Sequence, residues 1–320
     1  MKKLVSVILV MLLVVMCVGC SNSKPDGKYV IGIVQPVEHT SLNEIRETIV
    51  STLQASEYAD KIEIVYKNGQ GDGTNINTIV TQFVGDKVDM IIPITTGTAQ
   101  IAAAATTEIP IVFAASSTPV EAGLVASMDD TSGNITGVSD RIAVEATLEL
   151  AEKLTPGIKT FGLIYNQGEV NAVSGINRAK AYLDANGYAY IESTIAVSGD
   201  LLQATQSLVG RVEAIYSPNC NTTASAMPVL AAEAINAKLP VYVGADSMVI
   251  DGGFATVGID YKVLGKQVAE MAIRIMNGES IADNNVEVVK EHSNLINTTT
   301  AEGIGVTLPQ DVIDSFILVN

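Results

Sequence analysis

Seven short stretches of the chain concentrate the side chains that could do chemistry. They are Gln35-Pro-Val-Glu-His39, Thr95-Thr-Gly-Thr98, Ala115-Ser-Ser-Thr-Pro119, Tyr165-Asn166, Ser217-Pro-Asn-Cys-Asn-Thr222, Gly244-Ala-Asp-Ser-Met248 and Asp260-Tyr261. Nearly all are hydroxyls, carboxamides and small residues, which make many neutral hydrogen bonds and few ion pairs. Such a set suits a small polar or zwitterionic ligand. Arginine and lysine are scarce there, which argues against a phosphorylated one.

Several members carry two readings each. Residues 95–98 precede a helical pattern, so free backbone N–H groups could hold a carboxylate; equally, Thr98 fits an ordinary N-cap. His39 either touches ligand at the mouth of a cleft or is a solvated loop histidine. Asn219 and Asn221 read as ligand contacts in preference to plain turn residues. Asp246 either pairs a ligand ammonium or caps the next segment.

Reaction machinery is sparse. The Gly69-Gln-Gly-Asp-Gly73 run lacks the spacing of a dinucleotide loop and reads as a turn. There is no Gly-x-Ser-x-Gly elbow, and neither histidine, His39 or His292, has a nucleophile in its sequence context. No His/Cys/carboxylate cluster has metal-ligand spacing. The expectation is a binding protein without cofactor or metal, not an enzyme.

The seven stretches all follow short apolar runs of strand length. Strands are expected at residues 29–34, 62–66, 88–94, 109–114, 161–165, 190–196, 214–216, 241–243, 255–259 and 286–289. Helical patterns separate them, the first opening at Ser41 with Glu44 placed to complete a capping box. Continuous Val/Ile strands alternating with helices predict parallel sheets covered on both faces. Two such series predict an α/β fold of two doubly wound lobes joined by a hinge. The hinge is expected near residues 139–141. One lobe then comprises residues 28–140 and 260–285, the other 141–259 and 286–320, with helix 263–276 crossing back to the first. Ligands of such sheets bind beyond the carboxyl ends of the strands, where the seven stretches lie.

The first twenty residues set the compartment. Met1-Lys2-Lys3 is a basic start, an apolar run covers residues 4–18, and Gly19-Cys20 breaks it before a polar linker at 21–27. This is a secretory signal, short for a spanning helix. Cys17-Val18-Gly19-Cys20 resembles a bacterial lipobox with Cys in place of the usual Leu, which would make Cys20 the lipidated N-terminus on the outer side of the membrane. An uncleaved anchor helix is the alternative. Both place the domain outside the cytoplasm. Cys220 then remains alone, without a disulfide partner, and is expected to pack as a small hydrophobe.

The 320 residues are 48% hydrophobic, ample for two cores, and carry a formal charge of −16. Loss of the leader removes two lysines and leaves about −18. That surface repels phosphate backbones, so nucleic acid is not a partner.

Several segments together resemble the TrpX-like ABC-transporter substrate-binding proteins. They are Gln35-x-x-x-His39; Gly71-Asp72 with Ile76, Ile79, Gln82 and Phe83; Pro110-Ile-Val-Phe-Ala-Ala115 running to Pro119-Val120; Gly133-Asn-Ile-Thr-Gly-Val-Ser-Asp140; and Gly258-Ile-Asp-Tyr261 to Gly265. The resemblance implies a type I periplasmic-binding fold, an ABC permease and ATPase as partners, and commonly an aromatic amino acid as ligand. Carried over, the ligand contacts would be Gln35, Thr96, Ser116, Ser117, Asn219, Asn221 and Asp246. Relatives often have Asp immediately before the proline at Pro119, where this chain has Thr118; Asp246 or Asp140 would then have to compensate. A ligand-sensing subunit for a membrane signalling protein is the alternative role on the same fold.

Overall fold

The computed structural model describes residues 27–289 and 292–320; the leader and Cys20 lie outside the described residues. Thirteen strands among the described residues form two sheets. The first contains β1 (Tyr29–Gln35), β2 (Ile62–Asn68), β3 (Met90–Pro93), β4 (Ile111–Ala114), β5 (Ile135–Ser139) and β11 (Glu287–Val288). Its order is β11-β5-β4-β3-β1-β2, all parallel. The second contains β6 (Thr160–Asn166), β7 (Ala189–Ile195), β8 (Ala214–Ser217), β9 (Val241–Val243), β10 (Ala255–Ile259), β12 (His292–Asn297) and β13 (Ile317–Val319). Its order is β13-β12-β10-β9-β8-β6-β7, and only β10 and β12 run antiparallel.

Alternation along β1 shows why these runs become buried strands. Ile31 and Ile33 pack with Ile45 and Ile49 of helix Thr40–Gln54 on one face. Val30 and Val34 pack with Val80 and Phe83 of helix Gly73–Gly85 on the other. Both faces are covered, as a parallel sheet requires. Helix Tyr261–Met276 lies beside helix Thr40–Gln54 at a separation that admits only glycine: a Cβ on Gly265 would sit 2.8 Å from the Ile45 carbonyl oxygen.

The chain passes between the sheets three times, after β5, after β10 and after residue 289. The last passage corrects the expected boundary at 286. Glu287 and Val288 pair with Val138 and Ser139, so this short strand extends the first sheet before the chain leaves it. The apparent helix start also differs. His39 takes the N-cap position without a side-chain cap, and the Ser41 hydroxyl bonds Ser247 instead of capping.

In both sheets the core order follows one plan, 2-1-3-4-5 counted within each unit. Chain direction outward from the first strand reverses between β1 and β3, and again between β6 and β8. Crevices at such switch points, outside the carboxyl ends of the strands, are where ligands sit. Here the two switch points face each other.

Candidate functional site

The facing strand ends enclose a narrow, nearly closed gap of about 20 Å³ that residues of both sheets line. The first sheet contributes His39, Ser41, Leu42, Thr95, Ala115 and, at the first crossover, Asp140. Facing them are Asn171, Asn219, Cys220, Asn221, Ala224, Ala245 and Met248, with Tyr261 at the second crossover.

Two wall residues hold strained backbone. Thr95 has φ 83° and Ala115 φ 56°, in the left-handed region that side chains with a Cβ avoid. They are neighbours, since Thr95 N–H donates to the Ala114 carbonyl at 2.8 Å. Strain of this kind costs on the order of 1–3 kcal/mol per residue and concentrates at ligand sites. On the opposite wall, Gly244 lets the 218–221 loop come close: a Cβ there would lie 2.5 Å from the Asn219 nitrogen.

Asp140 forms one polar centre. It is 3% exposed. Its Oδ1 accepts from Ser117 Oγ at 2.7 Å; its Oδ2 accepts from Asn219 Nδ2 at 3.0 Å and from the Tyr261 hydroxyl at 3.4 Å. Asn219 Nδ2 also donates to Ser117 Oγ at 2.7 Å. All three partners are uncharged, and burial pushes the carboxyl above its usual range despite them. With Asn219 Nδ2 committed to the carboxylate, Asn219 Oδ1 is left buried with no partner among the described residues.

A second centre sits at His39. Glu169 accepts from the Asn221 backbone N–H at 2.7 Å, from Asn221 Nδ2 at 2.9 Å, from the Thr222 N–H at 2.8 Å and from Thr222 Oγ1 at 2.6 Å. Those bonds point Asn221 Oδ1 at His39 Nε2, 3.2 Å away. Burial lowers the His39 pKa, with the Asn221 bond and the Glu169 charge opposing.

Bonds across the gap hold the two lobes together: His39 to Asn221, Ser41 to Ser247, Thr40 to Asp251 at 3.1 Å, and Asn219 to Ser117.

The seven expected contact residues divide. Asn219 and Asn221 line the gap, and Ser117 stands behind Asn219 and Asp140. Gln35, Thr96, Ser116 and Asp246 are outside the lining. Gln35 turns its amide to the Val37 carbonyl and Asn43; Thr96 and Ser116 bond each other at 3.1 Å. Asp246, at the start of helix Asp246–Ile250, accepts from the Ser247 N–H, and burial raises its pKa to about 7. Thr118 is buried and also absent from the lining, so the acid in the gap is Asp140. Sequence reasoning missed Asn171 and Glu169. Their only signal was their place in and after the loop that follows β6.

The family model for ABC transporter substrate binding proteins matches residues 30–316. This chain belongs to that family. The substrate-binding protein is 37% identical over 318 residues to a tyrosine-binding protein of Clostridioides difficile, covering 95% of this chain and 92% of that relative. Its fold matches that of an ABC domain from Streptococcus pneumonia solved in complex with L-Trp: TM-score 0.88, 32% identity, 92% of this chain and all of the other. Against a ligand-free, open substrate-binding protein with adhesive properties from Clostridium difficile, the TM-score is 0.69, at 34% identity over 91% and 99%. Substrate-binding proteins of this family work outside the cytoplasm, carrying small-molecule ligands to an ABC permease and its ATPase, a non-enzymatic role.

Proposed function

We propose that this substrate-binding protein captures a free aromatic α-amino acid and delivers it to its permease while tethered to the membrane through an acylated Cys20. The observation that carries the ligand class is Asp140. A buried carboxylate held only by neutral donors, next to the bare acceptor Asn219 Oδ1, forms a site for a cation with several N–H groups. The ammonium of an amino acid has that form. Its carboxylate would fall to the first turn of helix Thr96–Ala105, whose N-cap Thr95 lines the gap and whose leading N–H groups have no partner within the helix. Leu42, Ala115, Ala224, Ala245 and Met248 supply apolar wall for the side chain. The relatives' ligands, tyrosine and L-Trp, are of this class.

The chain contains no tryptophan. Bound L-tryptophan therefore appears as new indole emission against a tyrosine background. Titration with L-tryptophan and L-tyrosine, read by emission and by thermal shift, should give saturable binding; no response to either refutes the ligand assignment. For the anchor, Cys20→Ser is expected to release the protein from the membrane fraction, and continued membrane association would refute it.

A further inference from the structure

We propose that His39 is a specificity-determining residue: its Nδ1 is a fixed hydrogen-bond acceptor that selects ligands carrying a donor on the aromatic ring. The inference rests on the amino-acid reading above and adds the chemistry of the ligand's far end. It follows from a chain of committed atoms. The Glu169 carboxylate can only accept, so Asn221 must turn its Nδ2 toward it, at 2.9 Å. Asn221 Oδ1 then faces His39 Nε2, which must be the protonated nitrogen to make the 3.2 Å bond. A neutral imidazole carries one proton, so Nδ1 holds a bare lone pair. That atom is buried and has no partner among the described residues.

The Asp140 and His39 centres share no hydrogen bond, yet both residues line the same gap. A ligand whose only donors are on its ammonium satisfies the first and leaves the second bare. Tyrosine offers a phenolic O–H and tryptophan an indole N–H; phenylalanine offers neither. A site built around a buried acceptor disfavours the analogue that leaves it unpaired.

Calorimetric titration of the purified chain with L-tyrosine, L-tryptophan and L-phenylalanine tests this, with His39→Phe alongside. The native chain should bind the first two at least about tenfold more tightly than the third. In His39→Phe all three weaken together through loss of the Asn221 link, and the preference over phenylalanine falls to near one. Imidazole ¹⁵N spectra give a readout that needs no folded variant. The chain has two histidines, so the His39 Nδ1 signal is assignable; it should sit at the position of an unprotonated nitrogen and move upfield on adding tyrosine but not phenylalanine. Equal affinity for tyrosine and phenylalanine, an unchanged ratio in His39→Phe, or a protonated Nδ1 overturns the role of His39 while leaving the amino-acid reading intact. Failure of all three ligands to bind overturns both.

Discussion

Asp140→Asn exchanges one buried oxygen for nitrogen at the centre of the gap. The new amide fits its surroundings. Its oxygen can keep the bonds from Asn219 and Tyr261, and its NH₂ can donate to Ser117 Oγ, whose rotating hydroxyl has accepting capacity to spare. What is lost is the negative charge. Removing one member of a buried ion pair costs about 3–5 kcal/mol, and each tenfold in affinity is about 1.4 kcal/mol. Affinity for an aromatic amino acid should therefore fall by roughly a hundredfold to a few thousandfold. The ligand-free protein should respond in the opposite sense. Its carboxyl is 3% exposed and disfavoured by burial, so a neutral isostere leaves the thermal midpoint unchanged or raises it. Calorimetric titration paired with thermal unfolding, with and without L-tyrosine, separates the two effects. Wild-type affinity in Asp140→Asn would refute the ammonium assignment, and a lower ligand-free midpoint would refute the claim that this charge serves binding alone.

Gly244→Ala forces a methyl to within 2.5 Å of the Asn219 nitrogen. It should displace the 218–221 loop and cost affinity at least tenfold, with the overpacking adding about 1–3 kcal/mol of destabilisation; unchanged titration curves would contradict the placement of that loop. Gly265→Ala meets the Ile45 carbonyl at 2.8 Å, so denaturant unfolding should report a loss of similar size, and unchanged stability would contradict the close packing of the two helices. Asp246 has a carboxyl raised to about 7 by burial, with Glu44 and Asp260 adding repulsion. The folded state then binds its proton more readily than the unfolded chain, so this group favours folding as pH falls from about 7 toward the ordinary carboxylate range, by at most about 1.4 kcal/mol per pH unit. Asp246→Asn should remove that slope and raise stability at pH 8; a difference between the two proteins that does not vary over this range would show that the carboxyl titrates normally.

The architecture was legible because continuous Val/Ile runs are what two-sided burial demands, and Ile31 and Ile33 packing against the opposite face from Val30 and Val34 is that pattern realised. The third passage between sheets was expected at 286 and falls after 289, because Glu287–Val288 is two residues long and its pairing to β5 joins positions about 150 apart. No local periodicity encodes such a contact. The site was half legible for the same reason. Strand order places the loops after β1, β3, β6 and β8 around one gap, but it does not aim side chains. Thr96 and Ser116 read as ligand hydroxyls yet bond each other. Ser41 read as a helix cap yet reaches across to Ser247. Asp140 read as the end of a family motif and, beside Asp246, as an acid that would compensate for Thr118; only its place in the gap among neutral donors separates the two.

On the reading proposed above, the Asp140 charge also accounts for how one molecule can both seize and surrender its ligand. The bonds bridging the lobes include His39–Asn221, Ser41–Ser247 and Thr40–Asp251, all between groups that water satisfies well when the lobes part. Each contributes only about 0.5–1.5 kcal/mol net. Opposing them is the cost of drying a carboxylate whose protein partners are neutral, several kcal/mol even after relaxation. A bound ammonium converts the Asp140 penalty into an attraction and tips the same balance by several kcal/mol. On the reading proposed above, closure is conditional on a cation at Asp140. Release to the permease needs only that the lobes be drawn apart far enough for water to reach Asp140.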